Sequence, residues 1–261
     1  MTNQISNGVK DELKNFGVVI LAAGQGKRLN CADLPKVLYK INERSIISYI
    51  LAELEKGGLE KSQICLVVGF KAESVQGKIG PGYIYALQAE RLGTAHAALT
   101  GVKALPADFE NFLVLNGDDS AFYKFESLVE LMQFHLANDN DMSILTCEPD
   151  DSQGLGRVVR GQDGRIIKIV EKENMTPELE KFREINTGTF CFNKNWFLKH
   201  YPNLKPFNSL KGEYGLPSFI EEALKTSSRL GAVKLENPNQ WFGVNTPEQL
   251  AEADKRKRNN Y

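Results

Sequence analysis

The eight residues Gly17–Gly24, GVVILAAG, contain no polar side chain and end on a glycine. A strand with one wet face alternates polar and apolar residues, so a run without alternation is covered on both faces, as at the centre of a parallel sheet. Similar runs follow at Gln63–Gly69 (QICLVVG) and Asn111–Gly117 (NFLVLNG). Helical patterns lie between and after them, at Ser45–Lys56, closed by Gly57 and Gly58, then at Thr94–Leu105 and Phe125–Leu136. This alternation predicts an α/β fold, a three-layer sandwich around a mixed, mainly parallel central sheet.

After about residue 142 the strands shorten and turn residues become frequent. Met142–Cys147 reads as a strand, and Arg157–Arg160 with Arg165–Val170 as a hairpin turning at Gly161–Gly164. Ile185–Phe192 gives another strand and Leu216–Leu224 a helix. A closing helix starts with Thr246 as N-cap and Pro247 at its first position. With no linker and no internal repeat, the expected organisation is an N-terminal extension (1–15) and a single domain (16–254). The domain divides into halves at 16–141 and 142–245, and its closing helix runs over 246–258.

The 32 basic and 33 acidic side chains leave a formal net charge of -1. A field that weak argues against nucleic acid or a membrane surface as partner, so any phosphate must be held by a built site. The basic run Lys255–Arg258 ends a helix, where it complements the helix dipole and stays solvated. Cys31, Cys65, Cys147 and Cys191 form no CxxC pair, and with only three histidines they argue against zinc. The N-terminus carries acids and no apolar core, and no run reaches the ~20 apolar residues of a membrane span, which points to the cytosol.

Three stretches carry the polar chemistry. The loop Leu21–Leu29 (LAAGQGKRL) leaves the first strand at its carboxyl end, where open α/β sheets place ligands. Arg28 stands where a Walker loop needs Ser or Thr, and Leu29 where the Rossmann fingerprint needs a small residue. What remains is a glycine loop with two cations, Lys27 and Arg28, followed by Lys36 behind the stiff Pro35. Its alternative is a glycine turn with solvated charges. Asn116-Gly-Asp118-Asp119 ends the third strand and brings carboxylates to the same edge; a phosphate beside them needs a divalent cation, although a tight turn would look similar. The stretch Gln88–Ala97 (QAERLGTAHA) leads into a helix and offers an amide and free backbone donors to a base edge, or else forms a capping turn alone. His96 within it reads as a packed or surface histidine, not an acid–base catalyst.

LAAGQGKRL with LPKVL, then QAERLGTAHA, NGD, GLGRVVR with IVEKEN, EINTGTF, GEYGL and GVNTPEQLAEAD follow the order and spacing of the sugar-1-phosphate nucleotidyltransferases. The chain resembles most the uridyltransferase (pyrophosphorylase) domain of bacterial N-acetylglucosamine-1-phosphate uridyltransferases, from about Gly17 to Asp254. The resemblance implies a GT-A-like Rossmannoid fold, Mg²⁺ dependence, and uridylyl transfer from UTP to a sugar 1-phosphate, N-acetylglucosamine 1-phosphate first among them, with release of pyrophosphate. Glucose 1-phosphate, dTTP, or a non-catalytic sugar-nucleotide-binding regulator are the alternatives. The resemblance places Leu21, Ala22, Ala23 and Gly24 along the nucleotide, Arg28 and Lys36 on its phosphates as the catalytic cations, and Gln88, Gly93 and Thr94 at the uracil. It makes Asp118 and Asn245 the metal ligands and gives the sugar to Gly156, Glu171 and Asn186. Arg28 and Lys36 are expected on a solvent-accessible loop.

The departures are as informative. The family continues from its metal aspartate with Val-Pro-Leu, whereas this chain has Asp119, Ser120 and Ala121. Its GEYYLTD string is here GEYGLPS, so Gly215 and Pro217 replace a tyrosine and a threonine expected near the sugar. The chain ends at Tyr261 without the hexapeptide repeats of a C-terminal β-helix, which predicts a monofunctional enzyme.

Overall fold

The computed structural model describes residues 7–26, 29, 33–152, 154–170, 174–206 and 212–259. Lys27, Arg28, Cys31 and Glu171 lie outside them. In chain order the first half holds α1 (Asn7–Glu12), β1 (Phe16–Ala22), the short pair β2 (Lys40–Ile41) and β3 (Arg44–Ser45), α2 (Ile46–Lys56), β4 (Ile64–Val68), α3 (Ala72–Ile79), β5 (Ile84–Leu87), α4 (Thr94–Ala104), β6 (Asn111–Asn116) and α5 (Phe125–Ala137). The second half holds β7 (Met142–Cys147), β8 (Arg157–Arg160), β9 (Ile166–Val170), β10 (Ile185–Asn193), α6 (Lys194–His200), α7 (Ser218–Lys225), β11 (Leu230–Lys234) and α8 (Pro247–Arg258).

Seven strands form one sheet in the order β11-β7-β10-β6-β1-β4-β5. β1 pairs in parallel with β4 and β6, β4 with β5, and β11 with β7, while β10 runs antiparallel to both its neighbours. The sheet is therefore mixed and mainly parallel, and it contains strands from both halves of the chain. Every residue of β1 is buried. Because side chains alternate along a strand, Phe16, Val18, Ile20 and Ala22 enter one hydrophobic cluster, with Ile47 of α2 and Leu128 of α5. Val19 and Leu21 enter the other, against Ala98 of α4 and Phe219 of α7. Helices thus cover both faces, giving the three layers. No described helix is long and apolar enough to cross a membrane.

The hairpin of β8 and β9 stands apart from the sheet. It is fastened to Glu184, the residue before β10, by Arg160, whose Nε and Nη2 donate to the two Glu184 side-chain oxygens at 2.7 and 2.5 Å, and by the Val158 N–H on the Glu184 carbonyl at 2.8 Å. Burial works against the Glu184 charge, but Arg160 and the Thr146 hydroxyl prevail and hold its carboxyl below the usual range. Thr246 caps α8 as expected, its hydroxyl accepting from the Gln249 N–H at 3.3 Å. The edge strands β5 and β11 have no counterpart in the sequence reading. β5 is half-exposed, and β11 contains Gly231 and ends on Lys234, so neither shows the uniform apolar run of a central strand. The helix expected at Leu216 begins at Ser218, behind Pro217.

Burial pushes the Cys65 and Cys147 thiols up to about 12, which leaves no thiolate for chemistry near neutral pH. His135 of α5 is buried between layers, its Nδ1 accepting from the Ser143 hydroxyl at 3.0 Å and its Nε2–H donating to the Asn111 side-chain oxygen at 3.2 Å. Burial lowers its pKa from 6.5 to about 4, against the smaller opposing effect of Asp141 and Asp139. The unfolded chain takes up this proton first as pH falls. Stability is therefore full above about pH 6.5, declines towards pH 4, and loses on the order of 3 kcal/mol by then through this group. Urea unfolding of the wild type at about pH 7 and pH 4.5 should show a larger loss than the same pair of measurements on His135→Gln; equal losses would remove His135 from this account.

Candidate active site

The carboxyl ends of β1 and β6 meet the segment that precedes α8 (β1 and β6 through the Gly117 N–H, which donates to the Leu21 carbonyl at 3.0 Å). The Val244 N–H donates to the Asp118 carbonyl at 3.1 Å. Asn245 is steadied in turn by its own N–H on Gln249 Oε1 at 2.7 Å. Pro35 starts the short turn Lys36–Leu38, which points Lys36 into the same corner. Gly26 has φ +69°, and a Cβ there would come within 3.0 Å of the Lys36 Cβ, so glycine is what lets the loop after β1 close over the lysine.

The result is one convergence of charge. Lys36 Nζ contacts Asp118 Oδ2 directly and donates to Asn245 Oδ1 at 2.9 Å. The Lys36 side chain is only 11% exposed. It is a buried, paired cation, which corrects the expectation of a solvent-accessible loop lysine: an ammonium this far from water needs acid and amide oxygens around it. Beside it, burial first and then the Asp118 charge push the Asp119 carboxyl well above the ordinary range, although Asn116, the Lys36 charge and its own N–H pull the other way.

Three adjoining cavities open along this edge among the described residues. The largest, 470 Å³, is lined by Leu21, Ala23, Gly24, Gln88, Gly93 and Thr94, and also by Asp118 and Arg91. A second, 280 Å³, is lined by Gly156, Asn186, Gly188, Asp119 and Trp241, and shares Thr94, Asn116 and Pro217 with the first. A third, 250 Å³, lies over Gly24, Gly26, Lys36, Asp118 and Asn245. Asp118 borders the first and third, and Asn116 the first and second. Ala22 is the exception among the expected loop residues. It is 1% exposed and belongs to the core cluster on the opposite face from Leu21, as the period of two along β1 requires.

Gln88 Nε2 donates to the Gly93 carbonyl and to His96 Nδ1, both at 3.1 Å. His96 is thereby a packing partner of Gln88. Gly93, at φ +95°, caps α4, and a Cβ on it would fall 2.3 Å from the Tyr214 carbonyl oxygen. That close approach is used: the Tyr214 N–H donates to the Leu92 carbonyl at 2.7 Å, the Ala95 N–H to the Tyr214 carbonyl at 2.9 Å, and the Leu216 N–H to Thr94 Oγ1 at 3.0 Å. Gly215 lies on this first cavity and Pro217 on both, so the altered GEYGLPS string borders the larger cavity as well as the second. On the second cavity, Asn186 Oδ1 accepts from the Gly188 N–H at 3.0 Å in the irregular stretch where β10 leaves register with β7.

The sequence reading did not single out Arg91, Glu213 or Ile169, all of which line the first cavity. Arg91 donates to Gln25 Oε1 at 3.0 Å, which ties the Gln88–Ala97 stretch to the glycine loop. Its signal was present as the one cation inside QAERLGTAHA. Asp118 and Asn245 offer two hard oxygens to one point, now held by an ammonium, and that donor set fits a small divalent cation. No cluster of three His, Cys, Asp or Glu suited to a metal occurs among the described residues. Mg²⁺ does not demand one, since it keeps waters and takes further oxygens from phosphates.

Residues 17–260 match the family described as nucleotidyl transferase. The bifunctional protein GlmU of Pelotomaculum thermopropionicum is 39% identical over 241 residues, which are 92% of this chain and 52% of that protein. GlmU of Acholeplasma laidlawii is 33% identical over 243 residues, 93% of this chain and 51% of that one. The chain thus spans about half the length of the curated relatives it matches. Among solved structures, a candidate glucose-1-phosphate thymidylyltransferase from Bacillus anthracis superposes with a TM-score of 0.76 at 21% identity, covering 93% of this chain and 95% of the other. HddC from Yersinia pseudotuberculosis does so at 0.71 and 23%, covering 92% and 99%. Motif order, fold and family match agree, and the chain belongs to the nucleotidyl transferase family as a nucleotidyltransferase enzyme.

Proposed function

We propose that the protein transfers a uridylyl group from UTP to a sugar 1-phosphate, N-acetylglucosamine 1-phosphate by preference, in the cytosol, with Mg²⁺ and release of pyrophosphate. The observation that carries this reading is the meeting of Lys36, Asp118 and Asn245 where the first and third cavities join. The first half of the single domain then serves the nucleotide and the second half the sugar. Similarity to GlmU proteins supports the choice of sugar and base.

Both reactants are anions, so the chain's task is positioning and charge compensation. The sugar-1-phosphate oxygen attacks the α-phosphorus of UTP in line, the bond to the bridging oxygen breaks, and pyrophosphate leaves with the electron pair. Leu21, Ala23 and Gly24 bound the nucleotide cavity. The Gln88 NH₂ is already engaged by Gly93 and His96, so its oxygen remains to accept from the N3–H of uracil, which cytosine lacks. Thr94, Gly93 and Arg91 complete that side. Gly156 and Asn186 hold the sugar, together with Glu171. Asp118 and Asn245 would hold Mg²⁺, which supplies charge neutralisation and orientation of the phosphates. Lys36, released from that position, and Arg28 serve the phosphates as cations.

Pyrophosphate release over a panel of nucleoside triphosphates and sugar 1-phosphates tests the assignment. UTP with N-acetylglucosamine 1-phosphate should give the highest kcat/KM; a higher value for dTTP or glucose 1-phosphate would move the substrate, and nucleotide binding without turnover would favour a regulator. Asp118→Asn and Asn245→Ala should each lower kcat at least about a hundredfold, the scale of a lost group at developing charge, with circular dichroism unchanged. Substantial Mg²⁺-dependent turnover in either variant would remove that residue from the metal site.

A further inference from the structure

Asp119 stands out once the residues above have their roles. It is part-buried in the turn that follows β6 and lines the second cavity with Gly156, Asn186 and Gly188. Asn116 Nδ2 donates to its Oδ2 at 3.1 Å, whereas Oδ1 is shut away from solvent and receives no hydrogen bond from another described residue. A carboxyl group, ionised or not, keeps acceptor positions on its oxygens, and Asn116 fills one of them. Lys36, the nearby ammonium, spends itself on Asp118 and Asn245. An acid left so short of donors costs stability and is better replaced by an apolar residue unless a ligand completes it. The valine that the family resemblance leads to at this position would carry no such cost. The next side chain repeats the pattern, for Ser120 Oγ is also buried without a partner among the described residues.

We propose that Asp119, oriented by Asn116, is a specificity-determining residue that accepts a hydrogen bond from one ring hydroxyl of the sugar 1-phosphate. The inference rests on reading the second cavity as the sugar side. A site built to bond a hydroxyl rejects the analogue that lacks it far more strongly than an apolar wall does, because the acceptor is then stranded. Asn116 touches both cavities, so the sugar hydroxyl and the nucleotide are registered against one side chain.

The test compares kcat/KM for the best sugar 1-phosphate of the panel and each of its monodeoxy analogues, in wild type, Asp119→Val and Asp119→Asn, with thermal unfolding measured alongside. In the wild type one analogue should lose at least about tenfold relative to its parent, a difference of ~1.4 kcal/mol. In Asp119→Val that one penalty should shrink to within about threefold while the others persist, and the variant should unfold at or above the wild-type temperature. Asp119→Asn, which keeps the shape, should narrow the same penalty, and it decides the matter if the valine variant fails to fold. Penalties identical in wild type and both variants would overturn the role of Asp119 while leaving the enzyme assignment intact. Absence of turnover with every sugar 1-phosphate by the wild type would instead overturn the reading of the cavity itself, and this inference with it.

Discussion

An ammonium, a carboxylate and an amide oxygen drawn from residues 36, 118 and 245 meet at the carboxyl edge of the sheet, and the geometry around them follows from the need to keep that charge satisfied away from water. β1 and β6 lie side by side because their apolar runs must be covered on both faces. Their parallel pairing puts the glycine loop next to Asp118. The Val244 N–H on the Asp118 carbonyl then delivers Asn245 from the far end of the chain. Without that backbone bond the lysine would face a single partner, and a half-paired buried charge costs more than a complete network.

Three buried side-chain atoms lack a partner among the described residues, Asp119 Oδ1, Ser120 Oγ and, on β8, Arg157 Nε, and two of them stand beside this edge. Elsewhere, buried polar groups such as His135 and Gln63 have their partners: Gln63 Nε2 donates to the Leu13 and Phe16 carbonyls at 2.9 and 3.1 Å. Asp119 Oδ1 and Ser120 Oγ, adjacent in sequence and next to the charge convergence, have none among the described residues. Of these residues Asp119 lines the second cavity, and an unsatisfied group beside a cavity is the pattern of a place where stability is given up for recognition. Gly93 illustrates the complementary device, a position where a backbone–backbone approach to Tyr214 leaves no room for a side chain and fixes the wall of the first cavity.

Much of this was legible in the sequence because it depends on short-range rules. Uniform burial made β1, β4 and β6 visible, the Gly161–Gly164 turn made the hairpin visible, and Thr246 with Pro247 marked α8. The edge strands were not visible, since β5 and β11 mix half-exposed positions with glycine and lysine. In the site, the loop, Asp118 and Asn245 were recognisable by motif order, while the orientation of Ala22 was lost because motif matching ignores the two faces of a strand. Lys36 was expected on a solvent-accessible loop for a related reason. Its burial comes from Asn245, more than two hundred residues away, and no local pattern encodes that contact. The placement of Arg91 and the burial of Asp119 Oδ1 likewise arise from tertiary packing.

The central claim is that Asp118 and Asn245 form a cation position which Lys36 holds in the ligand-free protein. Anomalous diffraction from crystals soaked with Mn²⁺ and UTP tests it most directly. The account predicts a single strong Mn²⁺ peak within coordination distance, about 2.0–2.2 Å, of both the Asp118 carboxylate and the Asn245 side-chain oxygen, with the Lys36 ammonium moved off them onto a phosphate. A bound Mn²⁺ elsewhere, with Lys36 still bridging Asp118 and Asn245, would contradict it.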